Sequence, residues 1–600
     1  MTPRRTVLLT LLATAIAVAF AIRLPGSSDG ASSPPVEILH TRTAPLPGNP
    51  LSERLVEVWN ARQRGDLTAL TALLDGDDVA AYEAALTLAK HPDTPPTQRY
   101  EALRRVAALR IDEPLARNEI RELHLATGAA AEAAGLPNAA IDAYVAALPD
   151  TEARAALTRL QTDPYAVANA FLDARLHQAA LDALNDAGVS AASIEAPALR
   201  ALGRYEDAIV AYRAWLDEDP NSRTARFGIA WSQWYLGNLD AAEALFTQLG
   251  GPDAEYALGL IANRRGDLDA AVRHLVASES ASRLWLATTL LERAQRWSDA
   301  TDVYLRIAEG TSAYADDAAW RARLLASELG DAERAGLADD LLPRDSYFSL
   351  LLGREPNLPS RDDVAPVSST AITTADWLSG QGDTATARLV LAFALRDATD
   401  EATIIALGEA LLALDEYRLP QRAGSALIAD GSEQVRAWRL AYPRAWPDLV
   451  ERRAMDADVD PNLAWAVMRR ESAFFPDAIS RSGAQGLMQV MPTTWDWLAE
   501  LQAESPADPF TVADNVRYGV HYLGWLFSYF DGDEELVVAS YNRGQGYIGR
   551  LFEEPDVAGD KNELYRYIDA LETREYLQNV LLTRHVYQRL DDLEARRAAR

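Results

Sequence analysis

The chain has 600 residues, enough for several domains, and its formal net charge is −30. This acidity argues against nucleic acid as a partner, because phosphate binding needs a basic surface. The absence of cysteine excludes disulfides and thiol chemistry, and the seven scattered histidines have no metal-ligand spacing, so we expect neither a metal nor another cofactor.

Residues 1–22 have the features of an export signal. Two arginines precede an uncharged, mostly apolar run that ends at Ile22, and Ala-Phe-Ala at 19–21 resembles a cleavage site. The run is short for a membrane span of about 20 residues. A cleaved signal is therefore favoured, and an uncleaved membrane anchor stays open. Residues 23–50, rich in Ser, Gly and Pro, are interpreted as a linker.

The segment 51–367 is dominated by good helix formers and carries a weak internal repeat. In Gly203–Ala208, Gly237–Ala242 and Gly266–Ala271 a turn glycine is followed, two residues on, by Leu or an aromatic residue, and five residues on by Ala. The spacing of these alanines is close to the tetratricopeptide period of about 34 residues. We predict helix pairs stacked into a solenoid, which could bind a protein partner.

A second, smaller helical domain is predicted at 368–441, after a proline-marked loop stretch. The C-terminal domain then covers 442–600. Its predicted helices after Pro492 are 493–501, 508–530, 535–541 and 572–590, with a loop at Gly544 and Gly546 and an exposed acidic stretch at 552–564. Gly519 and Gly524 are expected to mark close helix contacts, since each costs helix propensity.

A carboxylate on the apolar face of a helix is the anomaly of the C-terminal domain. Asp460 and Pro461 predict a helix start. The apolar stripe through Val467 and Met468 then continues in register to Glu471. Burial disfavours the charged carboxylate and raises its pKa, which suits an acid catalyst. A glutamate paired to an arginine at the edge of the core is the alternative at this point.

Four motifs resemble, in order, those of lytic transglycosylases with a goose-lysozyme-like fold. They are Glu471-Ser472, then Gly486-Leu487-Met488-Gln489 with Met491-Pro492, then Tyr541-Asn542-Arg543-Gly544, and finally Glu572-Thr573-Arg574-Glu575-Tyr576. Arg543 departs from the family's usual alanine. The resemblance implies a mainly α protein with an N-terminal superhelical, tetratricopeptide-like solenoid ring, a small helical linker domain and a C-terminal lysozyme-like α+β domain.

The implied activity is non-hydrolytic cleavage of the β-1,4 bond between N-acetylmuramic acid and N-acetylglucosamine in peptidoglycan strands, in the periplasm. Glu471 would act as acid and then as base toward the muramic acid C6 hydroxyl, giving a 1,6-anhydro product. Phe474, Met488, Met491 and Val467 would keep it protonated. Because the chain is acidic, glycan binding would depend on hydrogen bonds and aromatic contacts.

The resemblance also implies roles for the other motif residues. Ser480 would lie near the peptide-bearing sugar, Gln489 and Met491 would line the sugar groove, and Tyr541 would stabilise the charged centre. Ser472 and Asn542 would support the site. Glu572 would bind the glycan, or alternatively pair with Arg574 or cap the last helix. Trp495, Trp497 and Trp525 are expected in the core.

Two other readings stay open. A hydrolase of the same fold, a muramidase, would need a second carboxylate, and no other Asp or Glu has an equally apolar sequence context. The third reading is a repeat scaffold whose C-terminal domain binds glycan without cleaving it.

Overall fold

The computed structural model describes residues 44–109, 117–161, 163–359, 361–555, 557, 559–568 and 570–598. The predicted signal or anchor at 1–22, and most of the linker at 23–50, lie outside this set. Within the described residues no helix combines the length and the apolar character needed to cross a bilayer.

The helices follow one another with short connections. They are α1 (Pro50–Arg64), α2 (Leu67–Ala72), α3 (Val79–Lys90), α4 (Pro96–Leu109), α5 (Arg117–Ala133), α6 (Pro137–Ala147), α7 (Thr151–Leu160), α8 (Pro164–Asp173), α9 (His177–Ala187), α10 (Ala192–Ala201), α11 (Tyr205–Glu218), α12 (Arg223–Tyr235), α13 (Leu239–Leu249), α14 (Pro252–Arg264), α15 (Leu268–Ala277), α16 (Ala281–Arg293), α17 (Trp297–Ala308), α18 (Ala315–Glu328), α19 (Ala332–Leu341), α20 (Tyr347–Leu351), α21 (Thr370–Ser379), α22 (Thr384–Asp397), α23 (Glu401–Leu412), α24 (Arg418–Ala429), α25 (Val435–Ala441), α26 (Pro447–Asp456), α27 (Pro461–Glu471), α28 (Pro492–Leu501), α29 (Val512–Tyr529), α30 (Glu534–Arg543), α31 (Gln545–Glu553), α32 (Lys561–Tyr567) and α33 (Leu571–Ala598).

Two compact units share these helices, and they are interleaved in sequence. Unit 1 comprises Met1–Ala147, Leu358–Gly549 and Asn579–Arg600, and unit 2 comprises Leu148–Asn357 and Arg550–Gln578. The predicted fold class is confirmed as mainly α. Of the lysozyme-like β component, the described residues contain only single bridges, such as Ile479 with Gln485. The domain boundaries drawn from the sequence stay predictions.

In unit 1 the first helices and the linker helices have a common core. Side chains of α1, α3 and α4 pack in one cluster with those of α21, α22 and α23. Trp59 stacks on Trp377 with ring centroids 5.8 Å apart, and Asn49 Nδ2 donates to Thr374 Oγ1 at 2.8 Å. An aromatic stack and a hydrogen bond therefore join segments that are more than 300 residues apart in sequence.

The C-terminal part of unit 1 is built around α27. Residues 463–468 are all buried, so the helix is enclosed on every side rather than along the single stripe expected from the sequence. Gly519 and Gly524 are close contacts, as predicted, because a Cβ would lie 2.3 Å from Met488 Sδ and 2.6 Å from the Ala457 carbonyl oxygen, respectively. Both glycines lie on α29, which therefore passes close to the Met488 loop and to the end of α26.

Unit 2 contains the helix pairs that carry the predicted repeat. The repeat alanines Ala208, Ala242 and Ala271 are completely buried where two helices cross, and the turn glycines that precede them have positive φ. A looser copy of the repeat runs from Gln295 through Trp297 to Ala300. There Gln295 occupies the glycine position with φ 55°, which is strained for a residue with a side chain. The repeat pattern thus marks real helix crossings and turns.

Three local expectations are wrong. Gly546 does not open a loop, because α31 begins at Gln545 directly after Gly544, whose φ of 91° ends α30. The acidic stretch 552–564 is not uniformly exposed, since Val557 and Leu564 are buried. The last helix extends to Ala598 rather than to residue 590.

The strained turn in the repeats provides a stability prediction. Gln295→Gly should raise the thermal unfolding midpoint, because glycine relieves a left-handed conformation that costs about 1 kcal/mol. Gly266→Gln, at the equivalent turn with φ 80° and open space around the Cβ position, should lower the midpoint by a similar amount. Calorimetry of the two variants checks this, and equal midpoints would contradict the assignment of the repeat turn.

Candidate active site

Glu471 is the last residue of α27, at the edge of the core. Asp460 caps the start of this helix by accepting from the Asn462 amide at 2.9 Å. Eleven residues later the helix ends with Glu471 half-buried, beyond the fully buried Val467 and Met468. The carboxylate therefore lies where α27 leaves the core, just beyond a segment that is buried on every side.

Directly after Glu471 the chain reverses. Ser472 is buried, and its hydroxyl donates to the Leu487 carbonyl at 2.7 Å and accepts from the Phe475 amide at 3.2 Å. Ala473 and Phe474 both have positive φ, 49° and 66°, a conformation that residues with side chains adopt only when their surroundings enforce it. Ser472 therefore joins the end of α27 to the second motif.

The second motif is a loop that only glycine permits at its first position. Gly486 has φ 76°, and a Cβ there would lie 2.0 Å from Asn515 Nδ2 and 2.3 Å from the Pro509 carbonyl oxygen. Gln489 also has positive φ, 48°, and its amide nitrogen donates to the carbonyls of Ala478 and Gly486 at 3.0 and 2.7 Å. The side chain of Gln489 thus holds the shape of its own loop.

Asn515 on α29 clamps this loop and is completely buried. Its Oδ1 accepts from the Met488 amide at 2.7 Å, and its Nδ2 donates to the carbonyls of Gln485 and Pro509 at 3.1 and 2.7 Å. From the sequence, Asn515 matches the spacing of the transglycosylase family but is given no role at the site. The available signal was an amide side chain within the first turn of α29.

Tyr541 on α30 completes the cluster. Its hydroxyl donates to the Met488 carbonyl at 2.9 Å. Burial first, and then the neighbouring charge of Glu471, raise the pKa of Tyr541 well above its usual value. Tyr541 of the third motif is thus linked to Met488 of the second by a hydrogen bond, and it is close enough to Glu471 of the first to feel its charge. The phenol stays neutral at physiological pH.

A small cavity of about 250 Å³ lies beside Tyr522. The Tyr522 ring packs on Tyr541 with centroids 5.3 Å apart, and its hydroxyl donates to Gln545 Oε1 at 3.0 Å. Burial raises the pKa of Tyr522 to about 12. The cavity is lined by Thr493, Thr494, Trp497, Tyr522 and Gln545.

The tryptophans of this region divide into two groups. Trp495 is in the core, as expected, and its Nε1 donates to the Ala507 carbonyl at 2.9 Å. Trp497 and Trp525 differ from the expectation, because both are half-buried. Trp497 lines the cavity and packs edge-on against Trp525 at 4.9 Å. An aromatic face at a cavity wall can stack on a sugar ring.

The other predicted residues are placed as follows. Ser480 is half-buried, and its Oγ accepts from the Ala484 amide at 3.0 Å. Met491 is 39% exposed, so of the four apolar residues expected to shield Glu471 it is the one that faces solvent. Asn542 is half-buried. Their roles toward the glycan stay predictions.

Glu572 belongs to unit 2 and is exposed in the first turn of α33. The alternative, an ion pair between Glu572 and Arg574, is not observed among the described residues. Arg574 instead donates from Nε to the Asp317 carboxylate at 2.9 Å. Tyr576, the last residue of the fourth motif, is buried. Within the described residues, no group of three or more His, Asp or Glu side chains is arranged to hold a metal ion.

Comparison with known protein families adds two matches. Residues 448–564 match the family described as Transglycosylase SLT domain, and residues 199–263 match a tetratricopeptide repeat family. The first match contains Glu471, the Gly486–Val490 loop, Asn515 and Tyr541.

Curated relatives are similar over part of their length. A putative soluble lytic murein transglycosylase of Haemophilus influenzae is 30% identical over 189 residues, 30% of this chain and 32% of that protein. The soluble lytic murein transglycosylase of Escherichia coli is 30% identical over 144 residues, 23% of this chain and 22% of that protein. The chain thus spans a third or less of the length of these relatives.

Among solved structures, the complex of the 70-kDa soluble lytic transglycosylase with bulgecin A aligns with a TM-score of 0.51 and 18% identity, over 89% of this chain and 91% of that one. This likeness shows the fold. Residues 448–564 therefore match the Transglycosylase SLT domain family, within a chain that shares the fold of a soluble lytic transglycosylase.

Proposed function

We propose that the protein is a peptidoglycan lytic transglycosylase that cleaves the β-1,4 bond between N-acetylmuramic acid and N-acetylglucosamine. The observation that carries the proposal is the cluster at the edge of the core, in which Glu471 ends α27 and the Tyr541 hydroxyl donates to the Met488 carbonyl, inside the segment that matches the transglycosylase domain. The names of the relatives, which are murein transglycosylases, support the same substrate class.

In the proposed reaction Glu471 first donates its proton to the glycosidic oxygen, and the bond from that oxygen to C1 of the muramic acid breaks. The C6 hydroxyl of the same sugar then attacks C1, and Glu471 takes the hydroxyl proton. The products are a 1,6-anhydro end and a free N-acetylglucosamine end, and Glu471 returns to its starting state. No water is consumed, so one carboxylate suffices.

Tyr541 is proposed to stabilise the positive charge that develops at C1. Because its proton is committed to the Met488 carbonyl, the remaining lone pairs of the phenol oxygen are available toward the substrate. Electrostatic stabilisation of this kind is strongest when the group is held before the reaction begins. The Asn515 clamp on Met488 fixes the carbonyl that orients Tyr541.

The remaining roles are proposals of the same kind. Ser480, Gln489, Met491 and Glu572 would contact the glycan, and Ser472 and Asn542 would support the site. We also propose export to the periplasm through residues 1–22, with membrane attachment if that segment is retained, and a protein partner for the repeats. The alternative is a muramidase of the same fold, which analysis of the products distinguishes because a hydrolase adds water to the new muramic acid end.

Glu471→Gln should lower turnover of purified sacculi by about 10³-fold, because the amide can neither donate nor accept the transferred proton. Binding of glycan strands should be retained, since the change is isosteric. Mass spectrometry of released fragments and a pull-down on sacculi measure the two effects. Glu500→Gln, at an exposed position on α28, is the matched control and should behave as wild type. Cleavage by the Glu471 variant at the wild-type rate would show that Glu471 is not the catalytic acid.

Tyr541→Phe should lower kcat by about 10- to 100-fold, because the variant loses the phenol oxygen and leaves the Met488 carbonyl without its donor, at a cost of about 1–3 kcal/mol. The raised pKa keeps Tyr541 neutral through neutral and alkaline pH, so wild type and variant should lose activity at the same alkaline pH. Rate profiles against pH check this, with Tyr529→Phe on the exposed part of α29 as control. An alkaline limb that disappears in the Tyr541 variant would contradict a neutral phenol.

A further inference from the structure

Asp317, on the repeat helix α18, holds the first turns of the last helix, α33. Arg574 Nε lies 2.9 Å from one carboxylate oxygen of Asp317, and Gln578 Nε2 donates to the other at 2.6 Å. Arg574 and Gln578 are one turn apart on α33, so both oxygens are used by the same helix face. Asp317 and Arg574 are buried, at 6% and 3% exposure, although they are 257 residues apart in sequence.

The guanidinium of Arg574 is fixed from two further directions. It donates to the Ile568 carbonyl in the turn that precedes α33. It also lies over the Trp285 ring of α16, 4.8 Å from the centroid. Because a guanidinium is planar and donates in fixed directions, these contacts set both the place and the orientation of the start of α33.

A second anchor lies one turn further along α18. Arg321 bonds Glu292 of α16 at 2.8 Å and Glu563 of α32 at 3.3 Å, so the helix before α33 is held by the same face of the same repeat helix. Next to Glu563, the Tyr565 ring packs against Phe348 of α20 with centroids 5.8 Å apart. Four residues of the segment 561–578 are therefore attached to the repeats: Glu563, Tyr565, Arg574 and Gln578.

Buried ion pairs are a poor device for stability alone, because apolar residues of similar volume do as well or better. What such a pair provides is a defined geometry. Glu572 lies two residues before Arg574, exposed in the first turn of α33. A rigid helical turn transmits the position of Arg574 to Glu572, because only about 3 Å of helix axis separates the two residues.

We infer that Asp317 is a positioning residue for Glu572, so that the repeats, and not only the transglycosylase domain, determine where the glycan-binding glutamate lies. This inference rests on the proposed function, in which Glu572 contacts the glycan. The repeat helices would then contribute to substrate recognition by fixing the position of Glu572.

The test is a double-mutant cycle in the full-length chain on soluble, uncrosslinked glycan strands. Asp317→Asn keeps the size of the side chain but removes the charge opposite Arg574, and we expect KM to rise about tenfold with a smaller effect on kcat. Glu572→Gln should raise KM by a similar factor. If Asp317 acts through Glu572, the double variant has the KM of Glu572→Gln alone. A double variant whose KM rises by the product of the two single effects would overturn the inference.

The matched control is Asp339→Asn. Asp339 pairs with Arg323 of α18 at 2.7 Å and with Arg354 at 3.9 Å, both within the repeats. Asp339→Asn should leave KM unchanged. An equal rise in KM would mean that any loosening of α18 has the same consequence, and would overturn the specific role of Asp317.

Gln578→Met is the second variant, for use if Asp317→Asn folds poorly. It removes the hydrogen bond to Asp317 and keeps the ion pair. We expect a smaller rise in KM that disappears in the Glu572→Gln background, and a rise that persists there contradicts the inference. The proposed function has its own test. If the wild type releases no anhydro fragments, the proposed transglycosylase activity is wrong. If the wild type is active but the effects of the two substitutions on KM multiply, only the positioning role of Asp317 is wrong.

Discussion

The loop Gly486–Val490 lies outside the helices, so some polar groups of its backbone pair with surrounding side chains rather than with a helical turn. Ser472 donates to the Leu487 carbonyl, Asn515 accepts from the Met488 amide and Tyr541 donates to the Met488 carbonyl. Each of these side chains comes from a different helix or helix end. The loop is therefore the point at which α27, α29 and α30 are held together, and one of the side chains bonded to it, Ser472, directly follows Glu471.

This constraint explains the unusual backbone around the site. Ala473, Phe474 and Gln489 all have positive φ, which a residue with a side chain adopts only at a cost. The hydrogen bonds of Ser472 and Gln489 enforce the reversal on either side of the loop. The strain is localised where Glu471 leaves the core, which is where a preorganised acid needs a rigid frame.

Local signals in the sequence predicted the parts of this arrangement that depend on nearest neighbours. The register of Glu471 with Val467, the turn glycines and crossing alanines of the repeats, and the close contacts of Gly519 and Gly524 follow from helix geometry alone. What could not be predicted are partners far apart in the chain. No local pattern tells that Asn515 reaches the Met488 amide, or that Arg574 bonds Asp317 rather than Glu572.

The central claim is that one acid, Glu471, and a hydroxyl of the substrate perform the cleavage without water. Digestion of sacculi in water labelled with heavy oxygen tests it most directly. The account predicts anhydro fragments that carry no label at the new muramic acid end. Labelled, reducing muramic acid ends would show that water attacks C1, and would contradict the mechanism.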